Sequence, residues 1–210
     1  MIITNQGGHF FKVQFGDTTI ALNPVSKESK LKNVRFGADI ALVSLNHKDM
    51  NGVDSVAHGD KEPFVIAGPG EYEIKGVFIK GLLSESEYDG QKRINTIYTI
   101  VLEGMNLCFM GAVSLKDLPP EVKEAIGEPD VLFVPIGGNG TLGPLDAYNL
   151  AVKLEAKLVI PMGYAEAEKG TLQKFLKEGG TEECKPVDKL TLKKKDLEGK
   201  DGEIVILAEA

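Results

Sequence analysis

Three short, largely apolar runs set the strongest limit on what this chain can fold into: residues 38–43 (ADIALV), 131–134 (VLFV) and 157–160 (KLVI). Each is too short for a buried helix and too uniformly apolar for a strand with one wet face. Runs of this kind are strands covered on both faces, so the fold needs protein layered above and below a sheet. Pro135 and Pro161 close the second and third runs, since proline donates no hydrogen bond to a ladder. Each run leads into a loop, and loops after buried strands are where a rigid scaffold presents chemistry.

The remaining pattern fits such a layered fold. Residues 10–15 alternate around Lys12 and Gln14, Gly16-Asp17 turns, and residues 18–22 return until Asn23-Pro24 stops them. Residues 63–67, 71–75 and 77–80 continue the β pattern, punctuated by Gly68-Pro69-Gly70 and Gly76. Glu85, Glu87, Asp89, Lys92 and Arg93 form a charged excursion before a strand at 95–102, which Glu103-Gly104 turns into 106–110. Pro119-Pro120 opens a helix closed by Gly127. Residues 142–154 and 169–178 predict two more helices, and residues 203–207 a last strand. A β-rich first half followed by strand–helix–strand units predicts one α/β domain over residues 1–210.

Composition narrows the partners. With 42% hydrophobic residues over 210 positions the chain can bury a core without staples. A net charge of −7 opposes nucleic acid. Lys193-Lys194-Lys195, flanked by Asp188, Asp196 and Glu198, reads as solvated surface. No apolar run approaches the roughly 20 residues of a membrane span, and Met1-Ile-Ile-Thr-Asn carries no leader pattern. Two distant cysteines, Cys108 and Cys184, fit a reducing compartment. The expectation is a cytoplasmic protein with no nucleic-acid or membrane partner.

The candidate chemistry is sparse. Three histidines (His9, His47, His58) and two cysteines cannot build a Cys-rich zinc site or a disulfide framework. In loop 44–50, His47 and Asp49 can act as metal ligands or as a base with an orienting carboxylate. A loop histidine that merely bonds its neighbours is the competing reading. Residues 109–112 hold no titratable group, and Tyr164 has no catalytic company in sequence. Gly137-Gly138-Asn139-Gly140 lacks the Lys-Ser/Thr of a P-loop and reads as a turn. Cys108 reads as a core thiol, and Cys184 has no histidine near it in sequence.

In order along the chain, these motifs resemble the metallo-β-lactamase-fold hydrolases, in the branch of small proteins similar to ascorbate-6-phosphate lactonase. The resemblance rests on residues 7–13 (GGHFFKV), 21–24 (ALNP), 38–50 (ADIALVSLNHKDM) and 68–77 (GPGEYEIKGV). It continues through residues 95–98, 131–138 (VLFVPIGG), 160–164 (IPMGY) and the tail from 186 to 196. It implies a four-layer αββα sandwich with the site along one edge of its two sheets. In that family the loop after the buried strand supplies His, His, Asp and His, and the matching positions here are Leu45, His47, Asp49 and Met50. The next family histidine matches Phe109, the metal-bridging aspartate Ala112, the last histidine Gly163, and the Asp of an Asp-Pro pair Asn23. His47 and Asp49 remain, divided between two former sites, where a catalytic zinc takes three protein ligands.

The resemblance therefore implies a dismantled metal site with no metal cofactor. The chain is expected to be a pseudoenzyme, inactive as a metal-dependent hydrolase. A binding or structural role, a small-molecule ligand and self-association belong to the same expectation. Leu45, Met50, Phe109, Ala112 and Gly163 either fill the former site or wall an apolar pocket, with His47, Asp49, His9 and Tyr164 as its polar groups. Two alternatives stay open. In one, His47 acts as a base oriented by Asp49 on a small ester, lactone or phosphorylated substrate, with or without one weakly bound metal. In the other, His9, His47 and Asp49 hold one metal, which requires residues 7–9 to lie beside the His47 loop.

Overall fold

A computed structural model describes residues 1–59, 62–165 and 167–210. The chain opens with β1 (Ile2–Gly7), β2 (Phe10–Phe15), β3 (Thr18–Leu22), β4 (Ile40–Leu42) and β5 (Phe64–Ile66). A meander follows: β6 (Gly70–Ile74), β7 (Val77–Ser86), β8 (Arg93–Leu102) and β9 (Met105–Phe109). Helices then alternate with strands through α1 (Pro120–Ile126), β10 (Val131–Pro135), α2 (Pro144–Lys153), β11 (Leu158–Met162) and α3 (Thr171–Glu178). Two short strands, β12 (Leu190–Thr191) and β13 (Glu203–Ile204), complete the set.

These strands form a six-stranded sheet, β12-β1-β2-β3-β4-β5, and a seven-stranded sheet, β13-β11-β10-β9-β8-β7-β6. The three apolar runs hold β4, β10 and β11, each strand buried along its whole length. β10 includes Pro135 and β11 continues through Pro161 to Met162, so the prolines do not stop them. Period-two alternation sorts the first sheet's side chains. Phe11, Val13, Ile20, Leu22, Ile40 and Leu42 join the core shared with the second sheet. Phe10, Ala21 and Ala41 face the other way, where Val25, Ala38 and Val56 cover them together with Leu31, Val34 and Phe36. The layer over that face is thus a loop and a 3-10 turn at Val53–Ser55. Helices α1 and α2 belong to the parallel β9-β10-β11 crossovers and α3 follows β11, with α2 packed on β10 and on α3.

Some boundaries differ from the sequence pattern. β1 is polar at Thr4, Asn5 and Gln6, so its identity comes from pairing with β2 and β12. β7 extends to Ser86 and β8 begins at Arg93, with Ser86 opposite Arg93, so the two ends of the charged excursion, Glu85 and Arg93, belong to a paired hairpin arm and Glu87, Asp89 and Lys92 to its loop. Cross-strand hydrogen bonds supply what apolar alternation does not. Helix α2 starts at Pro144, α3 starts at Thr171, and the last strand is only Glu203–Ile204.

The topology gathers the loops. β3 and β4 run parallel, as do β9, β10 and β11, while β1–β2 and β7–β8 are antiparallel. Residues 7–9, 23–24, 44–50, 87–92, 110–112 and 163–164 consequently emerge along one edge. Ligands in sheets of this kind bind outside the carboxyl ends of the strands.

Candidate functional site

The sequence resemblance matches seven positions to metal ligands and finds no expected donor at five of them, and the structure shows what stands there. Leu45, Met50 and Ala112 are buried and form a small apolar cluster against Tyr88. Phe109 is fully buried in the main core, its ring 5.9 Å from that of Phe133. Gly163 adopts φ +69°, and a Cβ there would lie 2.4 Å from Cε1 and 2.6 Å from Nε2 of His9. The His9 imidazole thus stands where a side chain at 163 would begin. The Gly163 N–H donates to the Gly8 carbonyl at 3.0 Å, tying the β1–β2 turn to this spot.

The polar groups are committed to one another. Asp49 accepts from Ser29 Oγ at 2.5 Å and from the Tyr88 hydroxyl at 2.9 Å. His47 Nδ1 accepts from the Asp49 backbone N–H at 3.2 Å, and Asp49 Oδ2 lies 3.4 Å from the same nitrogen. With Nδ1 an acceptor, the neutral ring carries its hydrogen on Nε2, which lies 3.6 Å from Asp89 Oδ2. The Asp49 backbone N–H, as well as its carboxylate, thus faces His47 Nδ1.

His9 and His47 both meet Tyr88 edge-on, with ring centroids 6.0 and 5.1 Å away. The turn at residues 7–9 therefore does lie beside the His47 loop. Even so, no group of three or more His, Cys, Asp or Glu able to hold an ion occurs among the described residues. His9 is buried, and its Nε2 has no hydrogen-bond partner there. Burial lowers its pKa to about 4, outweighing the opposing pull of the Asp49 charge.

A neutral network frames the loops. Asn23 (φ 50°) donates through Nδ2 to Ser44 Oγ at 2.8 Å and accepts from the Ser44 N–H at 2.8 Å. Asn95 donates to Ser84 Oγ (2.8 Å) and to the Met110 carbonyl (3.0 Å), and accepts from the Ala112 N–H (2.9 Å). A Cβ on Gly111 would lie 2.4 Å from Ser44, so the loop after β9 can approach this closely only as glycine. The amide at Asn23 satisfies its partners without placing a buried charge.

Sequence reasoning missed Tyr88, Ser29 and the Asn95 frame. An aromatic residue inside the charged stretch 85–93 was the available signal for Tyr88. Its loop is seated on residues 137–140: the Glu87 N–H donates to the Gly140 carbonyl at 3.1 Å, and a Cβ on Gly140 would sit 2.0 Å from the Glu87 oxygen. The glycine-rich turn is a seat for that loop. Beside it opens a shallow cavity of about 380 Å³, lined by Lys30, His47, Lys48, Asp49, Tyr88 and Asn139 among others. None of Leu45, Met50, Phe109, Ala112 and Gly163 lines it. Tyr164 is turned to the C-terminal segment, its hydroxyl donating to the Leu207 carbonyl at 3.4 Å, and burial raises its pKa to about 12.

Residues 3–163 match the beta-lactamase superfamily domain Lactamase_B_3. The chain belongs to this family, and its fold is the metallo-β-lactamase fold. It is 27% identical over 198 residues to a UPF0173 metal-dependent hydrolase of Listeria innocua, covering 78% of this chain and 85% of the relative. A UPF0173 metal-dependent hydrolase of Anoxybacillus flavithermus is 28% identical over 197 residues, covering 78% and 86%. A Thermotoga maritima crystal structure of the metallo-beta-lactamase superfamily superposes with a TM-score of 0.77 at 30% identity, covering 98% of this chain and 97% of that one. Among the described residues no helix is long and apolar enough to cross a membrane.

These relatives correct the expectation of a protein without a cofactor. They are named metal-dependent hydrolases, so a divalent metal is the cofactor that family membership implies. Sequence reasoning went from missing ligands directly to a missing metal, and the family does not license that step. The residues at the seven matched positions still do not fit a paired-metal centre. Leu45, Phe109, Ala112 and Gly163 offer no donor atom, and the Met50 thioether is a soft ligand buried in the apolar cluster.

Proposed function

We propose that this member of the metal-dependent hydrolase family does not perform paired-metal hydrolysis and binds a small anionic molecule in the cavity beside His47. The observation that carries the reading is the Leu45–Met50–Ala112 cluster closed by Tyr88, at three positions matched to metal ligands. Without metal, clustered carboxylates and imidazoles repel or must be solvated. Apolar packing replaces that cost with a gain of about 25 cal/mol per Å² buried. Lys30 and Lys48 line the cavity alongside Asp49 and Asp89; the two lysines have no ion-pair partner among the described residues, which supports an anionic ligand such as a phosphorylated or carboxylated metabolite. A bound divalent ion is compatible with this reading, whereas turnover by a metal pair is not.

The test is a panel of esters, lactones and phosphodiesters with Zn²⁺ or Mn²⁺ added. The expected result is no turnover that His47→Ala or Asp49→Ala removes. Metal-stimulated hydrolysis abolished by either substitution overturns the reading. Glucose 6-phosphate serves as the binding probe, and it should raise Tm in the wild type but not in Lys48→Ala.

A further inference from the structure

A second cavity, of about 520 Å³, lies towards the start of β11, whereas the His47 site lies beyond that strand's end. It opens between the C-terminal halves of α2 and α3, and its volume falls in the range of small-ligand sites, roughly 300–1,000 Å³. Buried Val159 and Ile204 line it, as do the rings of Tyr148 and Phe175, which pack edge to face at 6.3 Å. Among the described residues Glu155 and Asp201 supply its only charged side chains, and no basic residue lines it.

The lysines next to these carboxylates in sequence are engaged elsewhere. Lys153 pairs with Asp117 at 3.2 Å, Lys157 with Asp130 at 2.7 Å, and Lys200 with Glu203. Glu155 and Asp201 make no side-chain hydrogen bond or ion pair among the described residues. Both helices also finish here: Glu155 and Ala156 follow the cap of α2, and Gly179 caps α3. The C-terminus of a helix carries about half a negative charge. A cavity with aromatic and aliphatic walls, two carboxylates and two helix C-termini is complementary to one kind of small molecule.

We infer that this cavity binds a small organic cation, an amine carried on an aryl or alkyl body. The ammonium pairs with Glu155 and Asp201, and the apolar body lies against Tyr148, Phe175 and Ile204. The probe is phenethylamine, compared with 2-phenylethanol and 3-phenylpropanoate in amide NMR titrations of the full chain at pH 7. The amine should shift amides of residues 151–156, 175–179 and 201–204 to saturation. The alcohol should bind about tenfold more weakly, and the carboxylate should leave those amides unmoved.

Glu155→Gln with Asp201→Asn should weaken the amine about tenfold and leave the alcohol unchanged. Ala151→Leu should fill the cavity and remove both ligands. Since Ala151→Leu can disturb α2 packing, the charge variants at exposed positions carry the test on their own. Equal affinity for amine and alcohol overturns the inference, as does an amine affinity indifferent to the charge variants. Shifts confined to the His47 loop overturn it too, and they leave the reading of that loop to its own assay.

Discussion

Asn95→Leu tests whether the loop after β9 is held by a polar frame or by apolar packing alone. Asn95 has no exposed surface, and neither have Met110 and Ala112. Removing the amide leaves the Met110 carbonyl and the Ala112 N–H without the partners they have at 3.0 and 2.9 Å. The Ser84 hydroxyl, which loses a donor, can rotate to another partner, but these two backbone groups cannot. Each buried unsatisfied group costs about 1–3 kcal/mol. The leucine returns about 1–2 kcal/mol of apolar burial, so the net loss should be about 3 kcal/mol. Urea unfolding gives the measurement, followed by far-UV circular dichroism and by tyrosine emission, which no tryptophan masks in this chain. With an m-value of about 2 kcal/mol/M the midpoint should fall by about 1.5 M. A loss under about 1 kcal/mol at unchanged m would falsify the claim that Asn95 holds this loop.

Three further outcomes follow from the site. Gly163→Ala should destabilise by about 2 kcal/mol or more, through φ +69° and the 2.4 Å approach to His9. Combined with His9→Ala the loss should be clearly less than additive, and strict additivity would show that the two do not share space. His9 has a folded pKa of about 4, below the ordinary 6.5, so the unfolded chain binds the extra proton between those values. Stability from this group is complete above about pH 6.5 and drains away as pH falls towards 4, by roughly 3 kcal/mol. His9→Phe should flatten that part of the urea-midpoint profile, and an unchanged slope would exclude His9 as its source. Burial pushes the Cys108 thiol well above its usual range, so a disulfide reagent should modify half-exposed Cys184 first and reach Cys108 only on unfolding. Early labelling of Cys108, located by peptide mapping, would contradict its placement.

Much of the scaffold was legible in the residues. β4, β10 and β11 announce themselves because a strand covered on both faces cannot carry polar side chains. The β8–β9 hairpin follows from Glu103-Gly104, both at positive φ. β1 was not legible, since its hydrogen bonds come from β2 and β12, the latter almost the whole chain away. The length of the β7–β8 arm was hidden for a similar reason: its charged residues carry no apolar period, and only the register from Phe78 opposite Val101 to Ser86 opposite Arg93 defines it.

At the site, residue types alone determined which donor atoms exist: His47 and Asp49 at matched positions, with Leu45, Met50, Phe109, Ala112 and Gly163 at the others. No arrangement of the backbone can give those five an imidazole or a carboxylate. Tertiary structure decided what occupies the space. Tyr88 arrives from the β7–β8 loop to close the apolar cluster and to hold Asp49, and His9 arrives from the β1–β2 turn to stand against Gly163. Local sequence is silent on both, because each contact joins segments tens of residues apart whose meeting depends on the pairing of whole sheets.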